Sequence, residues 1–152
     1  NCIGGNEMLW LKVLKSLRDY LHASEIADAV ILGGYKPGDV RPDENSKGLI
    51  FIQRDRERPA GDDLVQDMRV QISVDTWVQS SSKDLTKGYE AIARLEGALM
   101  DALRRYEQET VYIADRVQLM RVRIVETGGD GDSVRPLVGS RTSLEIIVYE
   151  ET

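Results

Sequence analysis

The chain has 152 residues, of which 41% are hydrophobic and 30% are charged, and its formal net charge is −6. This length favours one domain, and the composition is typical of a globular chain rather than a disordered one. The acidic balance argues against general nucleic-acid binding, which needs a basic face, although it leaves room for a local basic patch. No apolar run approaches the roughly 18 residues of a membrane span.

The first six residues carry no fold signal. They hold Cys2, the single cysteine, so no internal disulfide is expected. They have no basic region followed by an apolar core, so no signal peptide is predicted. We expect residues 1–6 to be flexible or an addition to the native chain, and the fold prediction starts after them.

The first predicted element is a helix over residues 7–22, because apolar residues recur there at helical spacing, with Asn6 as a candidate cap. A short buried strand over residues 29–32 follows. A loop rich in proline and glycine, residues 35–48, leads to a second apolar strand over residues 49–52.

A strongly charged connection, residues 54–66, comes next. Arg54, Arg56 and Arg58 alternate there with two acids. On an extended edge, this alternation would place the three arginines on one side and the acids on the other. Two interpretations stay open, namely a solvated edge and a contact between subunits, because arginine is enriched at interfaces.

The clearest strand pattern covers residues 68–78, where the even positions are apolar apart from Thr76. The run Ser80-Ser81-Ser82 then signals a helix that continues to about Tyr106. Two more strands are predicted at 117–126 and 142–149, joined by a glycine-rich arm over residues 127–141.

The predicted fold is therefore α+β, with the order α-β-β-β-α-β-β. Two helices cover one face of an antiparallel or mixed sheet of about five strands, and the terminal β-hairpin extends into an arm. The predicted core comes from the helix stripes and the apolar strand positions: Trp10, Leu14, Leu17, Val70, Ile72, Val74, Ile92, Leu99, Leu103, Val122, Ile124, Leu144 and Ile146.

The arm is expected to be mobile in the isolated protein because it contains four glycines. Its apolar residues Val134, Leu137 and Val138, together with Arg135, are candidates for docking on a partner and ordering when they bind. The candidate interface thus combines these four residues with the three arginines of the charged connection.

The sequence contains only weak signals for a catalytic or metal-binding site. His22, the only histidine, ends the first helix, where a cation complements the helix dipole. One cysteine and one histidine cannot supply a zinc site, and no Gly-x-Ser-x-Gly elbow occurs.

Residues 128–132 resemble a fragment of a calcium loop, but a hairpin tip is favoured. Asp62 and Asp63 with Asp67 could bind a divalent ion, but a solvated turn is the preferred interpretation. We therefore predict no catalytic residues, no cofactor and no metal.

The stretch from Val70 to Tyr106 resembles a known pattern. It runs as an alternating strand, a serine-rich turn with Asp84, then Gly88-Tyr89, Leu95-Glu96 and the remainder of the helix. This looks like the tail-terminator and minor-tail-component families of long-tailed bacteriophages and prophages, and the likeness of architecture covers nearly the whole chain.

The resemblance implies a structural protein without enzymatic activity or cofactor. Such proteins form a ring, commonly a hexamer, that caps the tail tube and joins it to a head-completion or connector protein. It implies a place in the virion tail after assembly in the host cytoplasm. The charge and the lack of a long apolar run predict no nucleic-acid or membrane partner. A head–tail connector or another tail subunit of the same fold is the first alternative, and a small α+β enzyme or ligand-binding domain is the second.

Overall fold

The computed structural model describes residues 7–34, 41–59, 67–131 and 133–151. The fold is α+β, with two helices on one face of a six-stranded mixed sheet. Neither helix in these ranges combines the length and the apolar character needed to cross a membrane. The elements in chain order are α1 (Leu9–Ala23), β1 (Ala29–Leu32), β2 (Leu49–Pro59), β3 (Asp67–Gln79), α2 (Leu85–Glu109), β4 (Tyr112–Ala114), β5 (Val117–Gly129) and β6 (Leu137–Glu150).

The strands lie in the order β1-β2-β3-β6-β5-β4. Strand β1 is parallel to β2, and every other neighbouring pair is antiparallel. The centre of the sheet is the ladder between β3 and β6, which pairs Asp67 with Tyr149 and Gln79 with Leu137 without a register shift. The register shifts of the neighbouring ladders fall instead on β2 and β5.

Each face of the sheet has its own character. Because side chains alternate along a strand, every second residue of β3 and β6 points toward the helices. These residues are apolar and buried, and we call their side the inner face: Val70, Ile72, Val74, Leu144, Ile146 and Val148. The opposite side, which we call the outer face, carries the polar positions between them.

The two helices cover the inner face with their apolar stripes. The Asp84 carboxylate caps α2 by accepting a hydrogen bond of 3.0 Å from the Thr86 backbone N–H. The helix thus begins slightly later than the serine run suggested. Asn6, the cap suggested for α1, lies outside the described residues. Between the helices, the Tyr106 hydroxyl lies 2.8 Å from Ser16 Oγ, and burial raises the pKa of Tyr106 to about 12 although this hydrogen bond lowers it.

The predicted core is confirmed at ten of its positions, from Leu14 in α1 to Ile146 in β6. Trp10 and Val122 are only half-buried, and Ile124 is 39% exposed. Hydrophobic periodicity predicts which face of the sheet a residue occupies, but it does not predict how much of that face the helices cover. Ile124 lies at the margin of the covered area.

The sheet is also larger than predicted. Strand β2 continues through the charged residues to Pro59, and the three-residue strand β4 adds a sixth strand. Strands β5 and β6 extend into the supposed arm, so that residues 127–129 pair with β6 and residues 137–141 pair with β3. The connection that remains between β5 and β6 is residues 130–136. The hairpin itself is therefore as predicted, but its unpaired part is about half as long.

A second, smaller apolar cluster lies on the outer face, where Leu49, Phe51 and Trp77 are buried. The Trp77 ring occupies the space above Gly139, its partner across the β3–β6 ladder. A Cβ atom at position 139 would lie 2.6 Å from the ring, far inside van der Waals contact, so the ring position depends on this glycine.

The helix α2 offers a matched test of the packing. Leu99 is fully buried, so Leu99→Ala should lower the free energy of unfolding by about 2–5 kcal/mol. Leu85, which is 65% exposed on the same helix, is the control, and Leu85→Ala should cost less than about 0.5 kcal/mol. Urea denaturation measures both values. Equal losses in the two variants would contradict the packing of α2 described above.

Candidate interaction surfaces

No group of three histidine, cysteine, aspartate or glutamate side chains lies close enough to hold a metal ion within the described ranges. His22 is exposed in the last turn of α1. Asp62 and Asp63 fall outside the described residues, and Gly128 and Gly129 belong to β5. The remaining features that could serve a function are therefore surfaces: the outer face, the open strand edges and the hairpin connection.

Two buried carboxylates organise the outer face. The first belongs to Asp75, which is 5% exposed in the middle of β3. Arg141, its direct cross-strand partner on β6, donates two hydrogen bonds to it, of 2.7 and 3.0 Å. The Gln53 amide donates a further, short hydrogen bond from β2. A bidentate guanidinium pair of this kind stabilises an ionised carboxylate that burial alone would disfavour.

The second buried carboxylate is Glu145, which is 3% exposed on β6. Three guanidinium groups surround it, with nitrogen–oxygen distances of 3.5 Å from Arg123, 3.6 Å from Arg58 and 3.8 Å from Arg69. These distances are long for strong hydrogen bonds, so the contact is mainly electrostatic. Three cations around one anion leave this part of the face with an excess of positive charge.

The charged connection does not have the predicted geometry. The register with β3 shifts between Arg54 and Arg56, so the strand bulges at Asp55 and its later residues change sides. Arg54 therefore lies on the inner face, where it covers the Trp10 ring at 4.0 Å and pairs with Glu57 at 2.7 Å. Arg56 and Arg58 lie on the outer face. The prediction that all three arginines share one side is wrong, because a bulge cannot be read from alternation alone.

Two stretches of strand have an open side. Strand β1 pairs only with residues 49–52 of β2, and β4 pairs only with residues 117–118 of β5. This leaves residues 53–59 of β2 and 119–129 of β5 without a strand partner on that side in the described part of the chain. We call them the β2 open edge and the β5 open edge. Bulges, charged side chains and Pro59 interrupt them, as is typical of edges that resist unspecific pairing.

The hairpin connection carries the other predicted interface residues. Val134 is 70% exposed at its tip. Arg135 is exposed and donates a hydrogen bond of 2.7 Å to the Ser81 carbonyl oxygen. Leu137 and Val138 already belong to β6 and pack on the two apolar clusters, so they contact the protein's own body. Of the four candidates, Val134 thus presents the largest apolar surface to a partner.

A groove of about 460 Å³ separates this connection from the start of α2. Its wall includes Leu85 and Tyr89, which are 65% and 72% exposed, together with Gly88. A Cβ at Gly88 would lie 3.0 Å from Val138, so the glycine permits the close approach of α2 and β6. Polar groups from Glu96, Asp130 and Arg135 also line the groove.

The Asp75–Arg141 pair can be tested by a double-mutant cycle. Arg141→Gln leaves a buried carboxylate without its guanidinium partner and should cost roughly 1.5–3 kcal/mol, near the lower end because Arg141 is half exposed. In an Asp75→Asn background the same change should cost much less. Urea denaturation of the four proteins gives the coupling energy. Equal losses in both backgrounds would show that the pair does not stabilise the sheet.

No protein-family model and no curated protein matches this sequence. Among solved structures, the chain is similar to a chain in the virion of a native gene transfer agent particle. The match covers 93% of this chain and 94% of that chain, with 12% sequence identity and a TM-score of 0.51. At this identity the comparison shows a shared fold along nearly the full length of both chains.

Proposed function

We propose that the chain is a structural subunit of a phage-like particle, and specifically a ring-forming tail terminator or completion subunit that joins the tail tube to the head. The observation that carries this proposal is the fold shared with a virion chain over almost the whole of both molecules. The surfaces support it, because charged and apolar side chains face outward at the two open edges and at the hairpin connection.

The two open edges support a ring. A contact that closes a ring is heterologous, which means that one surface of a subunit meets a different surface of the next. The β2 open edge and the β5 open edge are two such different surfaces at opposite sides of the sheet. Their bulges hinder a continuous ladder, so the proposed contact uses side chains, with Arg56 and Arg58 among them. A hexamer is the proposed ring size.

The partners above and below the ring are a tail tube protein and a head-completion or connector protein. The hairpin connection carries the exposed Val134 beside the start of α2 and is the proposed docking element for one of them. A head–tail connector, or another tail subunit of the same fold, is the alternative within this class. Negative-stain imaging together with mass measurement in solution tests the proposal, because closed rings support it and a chain that stays monomeric at high concentration contradicts it.

Arg56 gives the sharpest test of the β2 open edge. Its side chain is 73% exposed, and its ion pair with Asp55 is loose at 3.9 Å. Arg56→Glu should therefore spare the fold and raise the dissociation constant of the ring by roughly 2- to 5-fold, since an exposed pair contributes ~0.5–1 kcal/mol. The effect should shrink at high salt, where exposed charges are screened.

Arg94→Glu, at an exposed position of α2, is the matched control for the same change of charge. Light scattering at low and high salt compares the two variants with the parent chain. An unchanged mass distribution for Arg56→Glu at both salt concentrations would remove this edge from the interface.

Val134 tests the hairpin tip separately from the ring. Val134→Asp should leave the melting temperature unchanged, because the side chain is 70% exposed, yet it should reduce joining to the partner particle. Val111→Asp, at a position 65% exposed near the other end of the sheet, is the control. Co-sedimentation with tail tubes measures the outcome, and equal binding by both variants would exclude the tip as a docking element.

A further inference from the structure

We propose that the outer face of the sheet binds the phosphodiester backbone of duplex DNA, through a band of five arginines that crosses it from β2 to β5. The exposed arginines of this band lie on the two open edges proposed for the ring, so the mass of each variant is measured by light scattering beside its affinity for DNA, which separates a lost DNA contact from a lost ring. The proposal rests on the cross-strand register, which brings these residues together from four segments of the chain.

The band consists of two adjacent rows of paired positions. The first row runs Arg58, Arg69, Ile147, Arg121 across β2, β3, β6 and β5. The second runs Arg56, Gln71, Glu145, Arg123 across the same strands. Five guanidinium groups thus occupy eight positions, with one carboxylate among them. We call these two rows the arginine band.

The exposed part of the band is strongly cationic. Glu145 is almost completely buried, whereas the side chains of Arg56, Arg58 and Arg123 are 73%, 55% and 53% exposed. A partner that approaches from solvent therefore meets guanidinium groups rather than the carboxylate beneath them.

The band is also electrostatically costly on its own. Arg58 and Arg69 are direct cross-strand partners, and like charges placed opposite one another destabilise a sheet. Glu145 is the one carboxylate that Arg58 and Arg69 share, so it offsets only part of this repulsion, and an anion bound over the exposed guanidinium groups would offset more of it.

Phosphate suits the band better than a protein surface does. Arginine presents a planar fork of donors that binds phosphate oxygens in pairs. The buried centre of a protein interface is rich in apolar and aromatic side chains, whereas Ile147 is the single apolar residue in the two rows. The rows also hold no aromatic side chain on which unpaired bases could stack, which favours a duplex over a single strand.

The dimensions agree with a duplex. With strands ~4.8 Å apart, the arginines of β2 and β5 are separated by about 14 Å. This is comparable with the roughly 12 Å width of the DNA major groove, so the two sides of the band reach phosphates on both sides of one groove. Contacts of this kind recognise the charge and spacing of the backbone phosphates rather than the base sequence.

The test uses the full chain and a duplex of about 30 base pairs of arbitrary sequence, followed by fluorescence anisotropy between roughly 50 and 200 mM salt. The double variant Arg121→Gln/Arg123→Gln removes two exposed guanidinium groups and leaves Arg58 and Arg69 beside Glu145. It should bind at least about 10-fold more weakly, and the slope of log affinity against log salt should become shallower by about 2, because each lost phosphate contact accounts for ~0.9.

The matched control is Arg94→Gln/Arg104→Gln on exposed positions of α2, which changes the net charge equally and should retain parental affinity and slope. Circular dichroism establishes that both variants fold. The proposal is overturned if the parent chain does not bind the duplex, or if the two variants lose affinity equally. It is also overturned if poly-glutamate competes as strongly as DNA at equal charge, since the band would then be a docking site for an acidic protein.

Discussion

The unbroken ladder between β3 and β6 is the constraint on which the remaining structure depends. Its register has no shift from Asp67 to Gln79, so each side chain of the two strands has a fixed face. A slip by one residue would expose the apolar row and bury the polar one, which makes this register strongly determined. The helices can cover the inner face because its apolar row is continuous. The carboxylates of Asp75 and Glu145 meet their arginines because the outer face keeps the same register.

The sequence predicts this central part well because the signal there is local. Alternation along residues 68–78 and the stripe of α2 both follow from burial on one side, so strand, helix and most core positions could be read directly. The same reasoning fails at the periphery. The glycines and charged residues of β2, β5 and β6 are typical of loops. These segments are nevertheless strands, because their backbone groups form hydrogen bonds with a neighbouring strand.

The interaction surfaces could be predicted only in part. The composition of residues 54–58 indicates a charged edge, but the bulge at Asp55 depends on the pairing with β3, and this moved Arg54 to the helices. Glu145 reads as an ordinary solvent-facing position, and its burial among three arginines is visible only when β2, β3, β5 and β6 are placed side by side. The net charge of −6 could not predict this cluster of arginines, since net charge sums over faces that differ in sign.

The contact of Trp77 with Gly139 has a consequence for how this chain can vary. The indole fills the space that a side chain at position 139 would need, so the two positions act as one volume shared across the ladder. A relative of this protein with a larger residue at 139 must carry a smaller one at 77, and each single change passes through a clash or a cavity. The pair should therefore change together among related sequences, and its joint variation would identify the same ladder in chains too distant to align by identity.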